Sequence, residues 1–92
     1  IATDPAPAIV ESGKIFYMTN GGAIAFTLPT SPTLGTQYVV VNSAGADTNI
    51  TPVAPATING GGAGVVVNNT TQWAATTVVC VGVNTWVAFG GI

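Results

Sequence analysis

Glycine, proline and asparagine interrupt this chain every few residues, and this punctuation limits what it can fold into. The apolar residues between the interruptions form short, often β-branched runs, which is the pattern of strands bounded by turns. No segment repeats apolar residues at helical spacing for longer than a turn. The sequence therefore predicts an all-β fold: a small antiparallel β-sandwich or barrel-like domain of about eight short strands.

Two hairpins are predicted. In the first, strand-like residues 15–20 and 23–28 flank Asn20-Gly21, and Asn-Gly supplies the positive φ values that tight hairpin turns require. In the second, residues 76–83 form the strongest strand pattern of the chain and turn back through an Asn-Thr pair into residues 86–89.

Three further segments are predicted to be extended. The continuous apolar run at 38–41 is typical of a strand buried on both faces. Residues 49–53 contain Pro52, which cannot donate a ladder hydrogen bond, so this strand is predicted to lie at a sheet edge. Residues 56–58 form another short extended piece.

The chain divides into an extended N-terminal arm, residues 1–11, and a β-domain, residues 12–92. The two prolines of the arm restrict φ and move the preceding residues out of helical space. Because the first ten residues are mostly apolar and carry a single charge, the arm is a candidate docking segment for a neighbouring chain, and a frayed terminus is the alternative. The candidate docking residues are Ile1, Pro5, Pro7, Ile9 and Val10.

Charge is scarce. The chain has three acids and one lysine, so 4% of its residues are charged, against about 25% in ordinary soluble domains. One lysine cannot neutralise the several phosphates that nucleic-acid binding involves, and it cannot drive contact with an anionic membrane surface. No apolar run approaches the length of a membrane span. Neither a nucleic acid nor a membrane is therefore expected as a partner.

The sequence offers no recognisable catalytic, cofactor or metal site. It contains no histidine, and its single cysteine, Cys80, lies within a valine-rich strand where a buried thiol is the expectation. We therefore predict that the protein is not an enzyme and needs no cofactor. A 92-residue chain without an internal disulfide has limited means of stabilisation, which favours association with further subunits.

Four aromatic residues are candidates for contacts with a glycan or another subunit: Tyr17, Tyr38, Trp73 and Trp86. Aromatic rings flanked by asparagine and threonine are suited to stacking on sugars. The alternative is that these rings pack in the core or at a subunit boundary.

Read in order, several short motifs resemble a widespread β-domain of tailed bacteriophages. That domain occurs in head decoration (cement) proteins and in tail-fibre or tail-spike modules. The resemblance covers residues 12–89 and rests on the order and spacing of the motifs. These are SGKIF at 12–16, FTLP at 26–29, LGTQYVVV at 34–41, NITP at 49–52, ATINGG at 56–61 and the valine-rich end at 77–87.

The resemblance implies a homotrimeric, non-enzymatic domain on the outside of a virion. The leading hypothesis is a decoration protein that binds the major capsid protein at the outer capsid surface and stabilises the shell. The alternative is a trimeric tail-fibre or tail-spike module that recognises host surface glycans. A cellular carbohydrate-binding or adhesin domain is a third interpretation.

Overall fold

The computed structural model describes residues 11–91, which fold into eight β-strands. The predicted docking residues of the arm lie outside the described residues. The prediction of an all-β fold with about eight short strands is confirmed. The strands are β1 (Ile15–Met18), β2 (Ile24–Thr27), β3 (Gln37–Asn42), β4 (Thr48–Thr51), β5 (Thr57–Ile58), β6 (Val67–Asn69), β7 (Ala75–Gly82) and β8 (Thr85–Gly90).

The strands form two sheets that pack face to face. The larger has five strands in the order β1-β3-β7-β8-β5, and the smaller has three in the order β2-β4-β6. The prediction of antiparallel sheets was wrong, because both sheets are mixed. The pairs β1–β3, β2–β4 and β5–β8 are parallel, whereas β3–β7, β7–β8 and β4–β6 are antiparallel.

The path of the chain explains the parallel pairs. From β1 to β7, successive strands alternate between the five-stranded and the three-stranded sheet. In the β1–β3 and β2–β4 pairs, the chain crosses to the opposite sheet and re-enters the first sheet in its original direction, whereas β6 returns beside β4 in the opposite direction. Local hairpins are therefore replaced by crossovers through most of the domain, and the β7–β8 hairpin is the exception.

The hairpin predicted at Asn20-Gly21 was wrong. Residues 15–18 and 24–27 belong to different sheets, and the segment between them is a crossover. Neither Gly21 nor Gly22 has the positive φ of a tight hairpin turn. Asn20 is instead buried, and its side-chain amide donates to the carbonyl oxygens of Gly22 at 2.9 Å and Asp47 at 3.2 Å. This side chain therefore ties the crossover to the loop before β4.

The hairpin predicted at the C-terminal end is confirmed, since β7 and β8 are antiparallel neighbours and Asn84 in their turn has a φ of 50°. The edge position predicted for the strand near Pro52 was wrong. β4 is the middle strand of its sheet and ends at Thr51, so Pro52 lies just beyond the ladder and removes no hydrogen bond from it.

The core is an aromatic cluster between the sheets. Phe26 of the three-stranded sheet contacts Phe16 and Tyr38 of the five-stranded sheet, with ring centroids 5.0 and 6.1 Å apart in edge-to-face geometry. Trp86 stacks on Tyr38 at 6.4 Å. Because every strand of the large sheet points alternate residues into this core, the residues between them point to the opposite side of the sheet.

Candidate functional site

The side of the five-stranded sheet that points away from the core is mostly apolar and carries no charge. We call it the outer apolar face. It is formed by β1, β3, β7 and β8, whose inward residues alternate with the residues of this face. Its members are Ile15, Tyr17, Val39, Val41, Ala75, Thr77, Val79, Val87 and Phe89, with Gln37 and Thr85 at one end.

The strand register aligns these residues in rows across the sheet. One row runs from Ile15 through Val39 and Thr77 to Phe89 on four successive strands. Paired residues of neighbouring strands point to the same side, so the members of a row lie next to each other. A second row joins Tyr17, Val41 and Ala75, and a third joins Gln37, Val79 and Val87. The rows make the apolar surface continuous.

The side chains of this face are more exposed at its margins than in its middle. Ile15 on the β1 margin is 68% exposed and Phe89 on the β8 margin is 54% exposed, whereas Val39 and Thr77 between them are half-buried. The largest side chains of this row therefore stand at the margins, where they are also the most exposed.

No charged residue of the described chain belongs to this face. Glu11 and Lys14 precede β1, where their side chains approach to 3.7 Å, and Asp47 lies in the loop before β4. A surface without charge lacks the strongly hydrated groups that oppose burial, so covering it costs little electrostatic desolvation.

The opposite surface of the sandwich is polar. The outward residues of the three-stranded sheet form a surface that we call the outer polar face: Ala25, Thr27, Asn49, Thr51 and Asn68. Asparagine and threonine side chains can form hydrogen bonds with water. This side of the domain is therefore suited to solvent, in contrast to the outer apolar face.

The four aromatic candidates separate into two pairs. Tyr38 and Trp86 have no exposed surface, because both point into the core between the sheets. They are unavailable to a glycan or another subunit, and their part in the prediction was wrong. Burial, and secondarily the negative charge of Glu11, raises the pKa of the Tyr38 phenol. Tyr17 and Trp73 are exposed, and Tyr17 belongs to the outer apolar face.

Trp73 is 66% exposed on a loop that hydrogen bonds hold in place. Its backbone has a φ of 67° and its N–H donates to the carbonyl of Asn42 at 2.6 Å. The preceding Gln72 donates its side-chain amide to the carbonyl of Ser43 at 2.9 Å. The loop thus presents a large aromatic ring next to the end of β3.

Two buried asparagines support the same end of the domain. The amide of Asn42 donates to the carbonyl of Ala46 at 2.9 Å, and its oxygen accepts from the N–H of Gly45 at 2.8 Å. The amide of Asn69 donates to the carbonyl of Ala74 at 3.1 Å. These bonds tie the backbones of two loops to buried side chains, so the role of both asparagines is structural.

Titratable and metal-binding groups do not converge within the described residues. Residues 11–91 contain no group of three or more His, Cys, Asp or Glu side chains that could hold a metal ion. Cys80 is buried in β7, where its thiol approaches the carbonyl oxygen of Gly82 at 3.4 Å. No helix in this part of the chain is long and apolar enough to cross a membrane.

Sequence reasoning missed Ile15, Val87 and Phe89 as surface residues. The signal was present, because IFYM in β1 and WVAF in β8 are apolar at every position. A strand with one face in water alternates apolar and polar residues, whereas uninterrupted apolar strands indicate that both faces are covered.

Comparisons of the chain with protein-family models, with curated protein sequences and with solved structures each found no match. The functional argument therefore depends on the geometry of the described residues.

Proposed function

We propose that the chain is a non-enzymatic virion protein, a capsid decoration (cement) protein that binds the outer capsid surface as a homotrimer and stabilises the shell. The observation that carries this proposal is the outer apolar face, which is uncharged and continuous over four strands. A surface of this kind is typical of a protein that functions by contact with other protein.

The charge content agrees with such a role. One lysine and three acids give the chain a formal net charge of −2, so copies packed at high density on a shell repel one another only weakly. The same scarcity of basic residues is unsuited to nucleic acid and to anionic membranes. The partners proposed are other copies of this chain and the major capsid protein.

The experiment that tests the proposal is reconstitution on particles that lack the protein. Capsids from a phage in which the gene for this chain is deleted are mixed with the purified protein and sedimented. We expect the protein to sediment with the capsids in a copy number comparable to that of the major capsid protein, because a shell repeats equivalent binding positions many times. A copy number far below that would contradict the decoration role.

Deletion of the N-terminal arm provides a second test of this proposal. The sequence predicts that residues 1–10 dock on a neighbouring chain, and a trimer would present three such segments at once. A chain lacking residues 1–10 is expected to keep its oligomeric state and to lose capsid binding. Unchanged capsid binding would refute the docking role of the arm.

A tail-fibre or tail-spike module that recognises glycans is the second candidate, and the exposed ring of Trp73 favours it. An exposed aromatic ring on a hydrogen-bonded loop is suited to stacking on a sugar. Binding of the wild type to a glycan array, lost on Trp73→Ala, together with a low copy number per virion, would support this candidate over the decoration role.

A further inference from the structure

We infer that Asn59 is a modification site, an asparagine whose side chain covers part of the edge of β8 and which is converted to aspartate by reaction with the backbone nitrogen of Gly60. The conversion removes one of the two hydrogen bonds that join this side chain to β8. The inference goes beyond the proposed function and does not rest on it, because it concerns the chemistry of the chain itself.

The Asn59 side chain takes the place of a further strand residue beside β8. β5 pairs with β8 through Thr57 and Ile58. At the next position, the Asn59 amide donates to the carbonyl oxygen of Ala88 at 3.0 Å, and the side-chain oxygen accepts from the N–H of Ala88 at 2.9 Å. A neighbouring strand would bond to the same two backbone groups. The side chain therefore occupies groups that an open strand edge would present.

Asn59 and Gly60 form the turn that follows β5. Their φ values are 54° and 72°, and the N–H of Gly61 donates to the carbonyl oxygen of Ile58 at 3.0 Å. Two successive positive φ values across such a hydrogen bond are those of a type I′ turn, which favours Asn-Gly. The dipeptide therefore has here the geometry that it lacks at residues 20–21.

Asn-Gly is also the dipeptide in which an asparagine side chain reacts most readily with its own backbone. The nitrogen of Gly60 gives its proton to solvent base and attacks the Cγ of Asn59, and the side-chain nitrogen leaves as ammonia. Water then opens the five-membered imide and leaves aspartate or its β-linked isomer, so one water is consumed for each ammonia released. Glycine favours the attack because it places no side chain beside the attacking nitrogen.

The chain contains a second Asn-Gly pair, whose surroundings differ. Asn20 is 2% exposed, and its amide donates to the carbonyl oxygens of Gly22 and Asp47. Asn59 is exposed and precedes three successive glycines. Local opening that frees a side chain breaks fewer contacts in an exposed loop than at a buried position. We therefore expect the folded domain to react at Asn59 in preference to Asn20.

The conversion weakens the attachment of the loop to β8. An aspartate at position 59 still accepts from the N–H of Ala88, but at neutral pH it cannot donate to the carbonyl oxygen, and its charge faces that oxygen. β5, β8 and residues 60–64 contain no titratable side chain that could compensate the charge. The turn and the residues that follow it should therefore separate from β8 more often.

Mass spectrometry of peptides from the full chain measures the reaction. The protein is kept in mildly alkaline buffer, either folded or in urea, and conversion at each asparagine is followed with time. In the folded protein, Asn59 should convert at least about tenfold faster than Asn20, whereas in urea the two should convert at comparable rates. Equal rates in the folded protein, or conversion of Asn59 in urea alone, would overturn the inference.

Asn59→Asp tests the structural consequence, and Asn68→Asp is its matched control. Asn68 lies on the outer polar face, so the control adds the same charge away from β8. Hydrogen exchange is measured at the amides of Gly61 and Gly64, which donate to backbone carbonyls beside β5. At neutral pH, exchange should be about tenfold faster in Asn59→Asp than in wild type and unchanged in Asn68→Asp.

Acid distinguishes the lost donor from a general disturbance of the loop. A protonated aspartate carries an O–H and can donate to the carbonyl oxygen of Ala88 again. The ratio of exchange rates between Asn59→Asp and wild type should therefore return towards one as the pH falls below the carboxyl pKa, which is about 4 in an unperturbed aspartate. A ratio that is unchanged in acid, or that is already one at neutral pH, would contradict the proposed consequence of the modification.

Discussion

The two outward surfaces of this sandwich are built by the same strand alternation and have opposite chemistry. On the five-stranded sheet, the outward positions hold mainly Ile, Val, Tyr and Phe, and on the three-stranded sheet they hold mainly Asn and Thr. Both sheets direct their other residues into one shared core. The shared core requires apolar residues on the inner sides, so it does not by itself account for the difference between the outer sides.

This contrast indicates which of the two surfaces would gain from being covered. A polar outer side gains nothing from being covered, whereas burial of an exposed Val or Ile side chain contributes roughly 1.5–3 kcal/mol. Large apolar residues line both margins of one face and are missing from the other. We therefore expect substitutions on the two faces to have unequal effects on association and small effects on the stability of the subunit.

The largest expected effect is a loss of stability on removing a large side chain from the core between the two sheets. Trp86 is fully buried between the sheets and stacks on Tyr38. Trp86→Ala should lower the free energy of unfolding by about 3–5 kcal/mol, since the indole leaves a cavity. Urea unfolding followed by circular dichroism measures this loss.

Trp73→Ala is the matched control for the core variant, because it removes the other tryptophan from an exposed loop. Its effect on the free energy of unfolding should stay within about 0.5 kcal/mol. Similar losses for the two tryptophans would contradict the assignment of one to the core and the other to the surface.

The next effect separates the two faces directly. Ile15→Ser makes one margin of the outer apolar face polar, and Asn68→Val makes the outer polar face more apolar. If the exposed Ile15 side chain is covered in the proposed trimer, its loss should raise the dissociation constant of that trimer at least about tenfold. Asn68→Val should leave it unchanged, which sedimentation equilibrium can measure. Weaker association of Asn68→Val, or unchanged association of Ile15→Ser, would contradict the proposed difference between the two faces.

A smaller effect is expected in alkaline solution. Burial raises the pKa of Tyr38 above the unfolded value of about 10, so the folded state holds the phenolic proton more tightly. The associated stability is fully present below about pH 10 and is lost as the pH rises towards the raised folded pKa. Urea unfolding across this range should show a decline that Tyr38→Phe makes shallower. Identical slopes for the two proteins would exclude Tyr38 as its source.

The positions of the strands could be predicted from the sequence, whereas the pairing of the strands in the sheets could not, for a physical reason. Alternation and turn residues are local, so β7, β8 and the hairpin between them could be identified. The parallel pairing of β1 with β3 depends on a crossover through the opposite sheet, which leaves no local signature. Asn20-Gly21 illustrates the limit, since the same dipeptide serves a tight hairpin elsewhere and here a crossover with a buried asparagine.

The site was only partly predictable because residue type does not reveal which way a strand residue points. Trp86 and Phe89 lie three positions apart in β8, yet the first is in the core and the second is outside. That assignment depends on register, which a one-residue shift would reverse. The aromatic residues could therefore be identified as candidates from the sequence. Only the pairing of the strands shows which of them lie in the core and which lie on the surface.

The smallest expected effect is that of ordinary salt on association. Interfaces that depend on ion pairs weaken as salt screens their charges, with a Debye length near 10 Å at about 0.1 M. The outer apolar face contains no ionic group, and the described charges lie before β1 and before β4. We expect the dissociation constant of the proposed trimer to change less than about threefold between about 50 and 500 mM sodium chloride. Sodium sulfate should tighten it, because excluded salts strengthen apolar burial. A steep loss of association in sodium chloride would place charged residues at the interface and assign it to a surface other than the outer apolar face.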